Sequence, residues 1–283
     1  MSQRKGYVFI HGAWHNSETW RELKPYLEGA GHVFHAVDLP GAGSNAAQPK
    51  SLMRRPFDPE AFRTEPSPNA DITQRMRTDA VIAAVRAMNS ETGGKAILVG
   101  HSLGGLTVSQ VAEEIPEEIG AAVYLTAMLL VNGMSARAMS KHVSMDEEMI
   151  PSVICASPRM VGALRLNTRS EDADYRALMQ ECFYGDVDVE TFDRVTASLH
   201  CDEPAQVTGE PSTITRESFG RVPRHFIECL HDRAIPIDGQ RHMIASVDAE
   251  MGSKTIVHSL ATSHSPFVSS PDKLSEILIA ISD

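Results

Sequence analysis

The chain has 283 residues, of which 42% are hydrophobic and 6% aromatic, and 26 basic against 37 acidic residues leave a formal net charge of −11. This length suits one α/β domain carrying an insertion and can bury a large core, while the acidic balance makes nucleic acid and anionic membrane surfaces poor partners. No apolar run reaches the roughly 18 residues that span a bilayer. Residues 1–5 lack signal-peptide character, so a cytoplasmic protein is expected, with Cys155, Cys182, Cys201 and Cys229 reduced and in no zinc or redox spacing.

Strands and helices alternate along the chain. Residues 7–10 form a short apolar run, the pattern of a strand buried on both faces. Ser17 is the expected cap of a helix that carries Trp20, Leu23 and Leu27 and stops at Gly29 and Gly31. A second strand is predicted at 33–39. A helix is predicted at 71–89, with Met76, Ala80, Val81, Ala84 and Met88 on one face. Strands at 96–99 and 121–126 flank a helix at 103–115. Strands at 224–230 and 255–260 are each followed by a helix, near 236–246 and 271–281. Strands separated by helices imply a parallel sheet covered on both faces.

Two stretches interrupt the alternation. Residues 43–69 hold Pro49, Pro56, Pro59, Pro66 and Pro68, too many prolines for a helix or an inner strand. Residues 128–218 show helical pieces and no convincing central strand, so they are expected to form a mainly helical cap on a core made of 1–127 and 219–283. Both stretches leave carboxyl ends of strands, where open α/β sheets bind ligands, and both are expected to wall the site. Seven of the thirteen methionines lie between Met128 and Met179. They either line an adaptable apolar pocket or fill the core of the cap.

The strongest chemical signal is Gly100-His-Ser-Leu-Gly104, a G-x-S-x-G set between a strand and a helix. That context is a nucleophile elbow, a sharp turn that lifts the serine hydroxyl above the sheet. A lone serine is a weak nucleophile and needs a base, and in this fold the order is serine, acid, histidine. Ser102 is therefore the candidate nucleophile. His264, four residues past the last predicted strand, is the candidate base, preferred over His258 within that strand and His242 on a helix. Asp232, two residues beyond the preceding strand, is the candidate acid, with Asp238 as competitor and Glu228 inside the strand. A tetrahedral intermediate needs donors for its oxyanion. The backbone N–H groups of Leu103, after the elbow, and Ala13, in the loop after the first strand, are the candidates. His11 and His15 lack the companion carboxylates or thiolates of a metal site, so neither metal nor cofactor is expected.

These segments resemble a known family. His11-Gly-Ala-Trp-His15, Trp20-x-x-Leu-Lys-Pro-Tyr-Leu27, Asp38-Leu39, Gly100-His-Ser-Leu-Gly-Gly105 and Ala122-Val-Tyr-Leu-Thr-Ala127 are similar to plant methyl esterases and hydroxynitrile lyases. Phe226-Ile-Glu-Cys-Leu-x-Asp-Arg-Ala234 resembles bacterial pyrethroid-hydrolysing esterases of the same branch. The resemblance implies an α/β-hydrolase fold with six mainly parallel strands and helices on both faces. It also implies a triad of Ser102, Asp232 and His264, with oxyanion donors at Ala13 and Leu103, the positions read above. The lyases carry threonine at the position of Gly12 and lysine after the catalytic histidine, where this chain has Ser265, so lyase activity is not expected. The expectation is a cofactor-free ester hydrolase acting on a small-molecule ester or lactone. Bulky apolar esters lead, with pyrethroids and macrolide antibiotic lactones as candidates. A cofactor-free dioxygenase and a ligand-binding receptor on the same fold are the alternatives.

Overall fold

The computed structural model describes residues 4–281. Its strands are β1 (Gly6–Ile10), β2 (Val33–Val37), β3 (Ala96–His101), β4 (Ile119–Leu125), β5 (Ala163–Arg165), β6 (Asp202–Pro204), β7 (Arg224–Cys229) and β8 (Ile256–Leu260). Six of them form one sheet in the order β2-β1-β3-β4-β7-β8, and every neighbouring pair is parallel. Alternate side chains feed two separate cores. Val8, Ile10, Leu98 and Tyr124 face one, with Val81, Val85, Val108 and Val247 from helices on that side. Tyr7, Phe9, Ile97, Val99 and Val123 face the other, with Trp20, Leu27, Phe267, Leu274 and Leu278. Period-2 strands buried on both faces read as the continuous apolar runs seen in the sequence.

The chain leaves β1 toward β2 on one side and reaches β3 on the other, so β1 and β3 are adjacent strands whose connections diverge. The crevice at their carboxyl ends is the switch point where doubly wound sheets bind ligands. Ile10 lies in register with Gly100, which sets the loop beginning at His11 beside the turn at Ser102.

Several local expectations are corrected. Asn16, not Ser17, caps the turn after β1: its side chain accepts the N–H of Glu18 over a short 3-10 helix, Ser17–Trp20, and the α-helix begins later, at Lys24–Gly29. The predicted 71–89 helix is Gln74–Thr92, capped by Thr73 and ended by Gly93. Its inner face runs through Arg77, Val81, Val85 and Met88, leaving Met76 exposed. Arg77 is inside because it meets Glu203 of β6 at 2.6 Å, a partner no helical periodicity reveals. Residues 43–69 do contain helix, Lys50–Met53 and Pro59–Thr64. Pro49 precedes the first and Pro59 opens the second behind the Asp58 cap, positions where proline's missing N–H has no helical partner to lose. The stretch 128–218 is helical pieces plus one antiparallel ribbon, β5 with β6.

The fully buried Arg165 of β5 ties these parts together. Its guanidinium pairs with Asp202 through two 2.7 Å bonds and also donates to the carbonyls of Phe62 and Glu65. Residues 43–69 are thereby held against the outside of the ribbon. Contrary to the expectation, none of them lines the cavity at Ser102, whereas Leu164 of β5 and Ala205 and Gln206, which follow β6, do.

Candidate active site

The turn at the end of β3 places Ser102 at φ 53, a left-handed conformation a non-glycine residue rarely adopts. Its backbone is held on both sides: Ser102 N donates to Leu125 O at 3.3 Å, and Met128 N donates to Ser102 O at 2.9 Å. A Cβ on Gly104 would stand 2.7 Å from the carbonyl oxygens of Ile10 and His11, so only glycine lets the helix Gly104–Glu114 begin this close to β1. Gly12 answers the same need from the other side, since a Cβ there would lie 2.7 Å from Ser102 Cβ.

His264 and Asp232 meet as the sequence order predicts, with His264 Nδ1 2.6 Å from Asp232 Oδ2 and both side chains buried. The carboxylate is fully engaged. Its Oδ1 accepts the N–H groups of Ala234 (2.7 Å) and Ile235 (2.8 Å), and Oδ2 also accepts the hydroxyl of Thr126. Asp238 is exposed in the first turn of the helix Ile237–Met251, and Glu228 is taken by Arg241 at 3.0 Å. Neither approaches His264 in the hydrogen-bond pattern.

Three histidines the sequence reading left without a role build the frame. His101 Nε2 bonds to the carbonyl of His264 at 2.9 Å, joining the residue before Ser102 to the backbone of the candidate base. A carbonyl only accepts, so His101 carries its proton on Nε2. Burial drives its pKa far below the usual histidine range, and it stays neutral. By the same reasoning His11 donates from Nδ1 to Gly12 O at 2.8 Å, and His15 from Nδ1 to Ala13 O at 2.7 Å. Burial lowers these two to about 3 and about 4. The free ring nitrogens then accept, His11 from Leu39 N and His15 from the Tyr184 hydroxyl. His11 thus grips one edge of the Gly12–Ala13 peptide, whose opposite edge is the Ala13 N–H. The N–H groups of Ala13 and Leu103 have no acceptor among the described residues.

Ala13, Ser102 and Leu103 line one cavity of about 690 Å³. Its walls are largely apolar, with Trp14, Met128, Ile150, Ile154, Leu164 and Ile235. Of the seven methionines between 128 and 179, Met128 alone is on the wall. Met139, Met145 and Met179 are buried in the core and Met160 is exposed. The Met-rich segment is therefore packing, not lining. Asp186 holds the loop that carries the base, accepting Ser263 N at 2.9 Å. His11, His15, His101 and Thr126 lie within the segments that carry the family resemblance, but nothing in those segments assigned them these roles, and Asp186 lies in none of them; a strand-end threonine at φ 36 is the one backbone signal among them, and it is visible only in three dimensions.

Residues 7–277 match the model of the alpha/beta hydrolase family. Among curated proteins, methylesterase 1 of Arabidopsis thaliana is 25% identical, with 99% of this chain and 97% of that protein covered. A pyrethroid hydrolase of Sphingobium wenxiniae is 27% identical, covering 98% and 87%. The crystal structure of a pyrethroid hydrolase from Sphingobium faniae shares the fold, with a TM-score of 0.74 at 23% identity over 98% of this chain and 96% of that one.

Proposed function

The chain belongs to the alpha/beta hydrolase family as an esterase-type member, and from that premise we propose that it hydrolyses bulky, mostly apolar carboxylic esters through an acyl-enzyme on Ser102. The observation that carries this reading is Ser102, on its left-handed turn, opening onto the apolar cavity while the adjacent His101 bonds the backbone of His264, whose ring is held by Asp232.

His264 takes the Ser102 hydroxyl proton as Oγ bonds to the ester carbonyl carbon. The carbonyl oxygen becomes the oxyanion, met by the N–H groups of Ala13 and Leu103. Collapse breaks the bond to the alcohol oxygen, which leaves with the proton from His264. Water then gives its proton to His264 and adds to the acyl carbon, and Ser102 recovers its hydrogen as the acid departs. Asp232 holds the imidazole in the tautomer with hydrogen on Nδ1 and stabilises its cation. Residues 128–218 act as the lid over this site. A cavity of this size holds a drug-sized ligand. Pyrethroid-type esters and macrolide lactones, which open by addition of one water, are the first substrates to test.

The test is a panel of esters and lactones graded by size, including a tylosin-type macrolide and a pyrethroid, read by mass spectrometry, together with labelling by a fluorophosphonate. The reading requires labelling and turnover that vanish in Ser102→Ala. Turnover confined to short-chain esters overturns the bulky-substrate part. No labelling and no turnover would leave the receptor alternative in its place.

A further inference from the structure

Glu148 is the one acidic side chain on the cavity wall among the described residues. The N–H of Met149 donates to Arg233 O at 2.8 Å, which fastens this segment onto the loop that presents Asp232. Glu148 is half-buried, and the charge acting on it is the repulsion of Asp232. Among the described residues no cation pairs with it: Arg233 is paired with the neighbouring Glu147 at 3.2 Å, and the two arginines that share the cavity wall form no ion pair with Glu148, Arg137 donating to Ala205 O at 2.9 Å and Arg159 standing exposed. The other polar groups on the wall are also committed: Gln206 bonds to Ala70 O and Thr208 to Ala205 O. Desolvation first, and Asp232 second, push the Glu148 carboxyl up to about 7. A desolvated carboxylate without a partner is costly, and its attraction for a cation is stronger here than in water. A neutral substrate covering it leaves it unpaired.

We propose that Glu148 is a cation subsite of the Ser102 cavity, and that the esters this chain takes carry a protonated aliphatic amine whose ammonium pairs with Glu148 while Ile150, Ile154 and Ile235 cover its alkyl groups. The subsite rests on the reading of this cavity as the ester site, and its test is made separable from that reading by measuring binding without turnover.

The probes are a phenyl ester ending in a dimethylamino group and its isopropyl-ended carbon isostere. Each is titrated calorimetrically into the Ser102→Ala protein. The amine ester is expected to bind about tenfold or more tightly than the isostere, the range for hydrogen bonds to charged groups. Adding Glu148→Gln is expected to bring the two affinities together. Equal binding in the Ser102→Ala protein, or a preference that survives Glu148→Gln, overturns the subsite. Should the Gln variant not fold, pH decides. The charged and titratable groups around Glu148 are Asp232, Arg233 in its pair with Glu147, the Cys182 thiol, which burial keeps protonated, and Arg137 and Arg159 on the cavity wall. The amine preference must fade as pH falls from about 8 to about 5 and Glu148 takes up its proton. A preference that grows on acidification makes Glu148 a neutral donor and overturns the proposal. Hydrolysis of the isostere by the intact chain tests Ser102 independently.

Discussion

Thr126 donates its hydroxyl to the same oxygen of Asp232 that meets the ring nitrogen of His264. Oδ2 thus carries two bonds, and the hydroxyl fixes the carboxylate that fixes the base. Thr126→Val keeps the shape of the side chain and removes the donor. We expect kcat to fall about tenfold, the scale of one hydrogen bond to a charged group, with KM little changed and the acidic limb of the pH–rate profile displaced. A profile and rate equal to those of the native chain would assign Thr126 a packing role only.

Asp232→Asn offers His264 an amide in place of the carboxylate and disturbs the tautomer the mechanism needs. Ester turnover should drop by up to about 10⁴-fold while the fold persists. Asp238, exposed on its helix, should tolerate the same change with an effect too small to alter the order of magnitude. Steady-state kinetics on both variants decide between them, and the reverse ranking would mean that the acid has been misassigned.

Gly12 leaves no room for a Cβ beside Ser102. Gly12→Ala should displace the Ala13 N–H and cost about 10²-fold or more in kcat, the scale of a lost oxyanion donor, with a lowered Tm. The threonine that the lyases carry at this position is excluded by the same contact. Mandelonitrile should therefore decompose no faster with the protein than without it. Cyanide release that disappears in Ser102→Ala would refute this.

Glu148 holds its proton to about 7 in the folded chain, against an ordinary value of 4.5. The folded state binds that proton more tightly than the unfolded chain does. The stability it contributes is complete below about 4.5 and is lost as pH rises through about 7. Glu148→Gln removes this dependence, so its Tm should exceed that of the native chain at pH about 8 and match it at pH about 4. A gap of equal size at both ends of the range would trace the effect to packing instead.

Arg165 is buried against Asp202. Asp202→Ala leaves its guanidinium without a counter-charge in the interior and should cost about 3–5 kcal/mol. Urea denaturation measures it. A loss below about 1 kcal/mol would show that the carbonyls of Phe62 and Glu65 alone satisfy Arg165.

The centre of the sheet was legible because its inner strands, β1, β3, β4 and β7, are buried on both faces, whereas the edge strands β2 and β8 are partly exposed. Runs such as 7–10 and 96–99 must be apolar whatever surrounds them, and glycine at 100 is demanded by the turn itself, where a Cβ would meet Gly104 and Val108, whereas glycine at 104 is demanded by the distant carbonyls of Ile10 and His11. Ser102, Asp232 and His264 were readable because each stands at a fixed offset from a strand end, and the order of the strands is the order of the chain. The edges of the elements were less legible. Ser17 and Asn16 are both good caps, and the choice between them depends on Ser17 N being taken by Asp38 at 2.8 Å.

What the sequence by itself determined was the frame and the chain order of the candidate site residues, since both follow from periodicity and turn chemistry along a contiguous stretch. The tertiary structure alone decided what surrounds them. Arg77 is on the inner face of its helix because Glu203 is there to pair with it. Residues 43–69 stay off the cavity wall, and of the Met-rich segment only Met128 reaches it. Thr126 meets Asp232, and Glu148 is left facing the cavity without a cation, through contacts between segments far apart in the chain. A side chain's partner across such a distance is set by how the layers close, and no pattern of spacing within one segment carries that information.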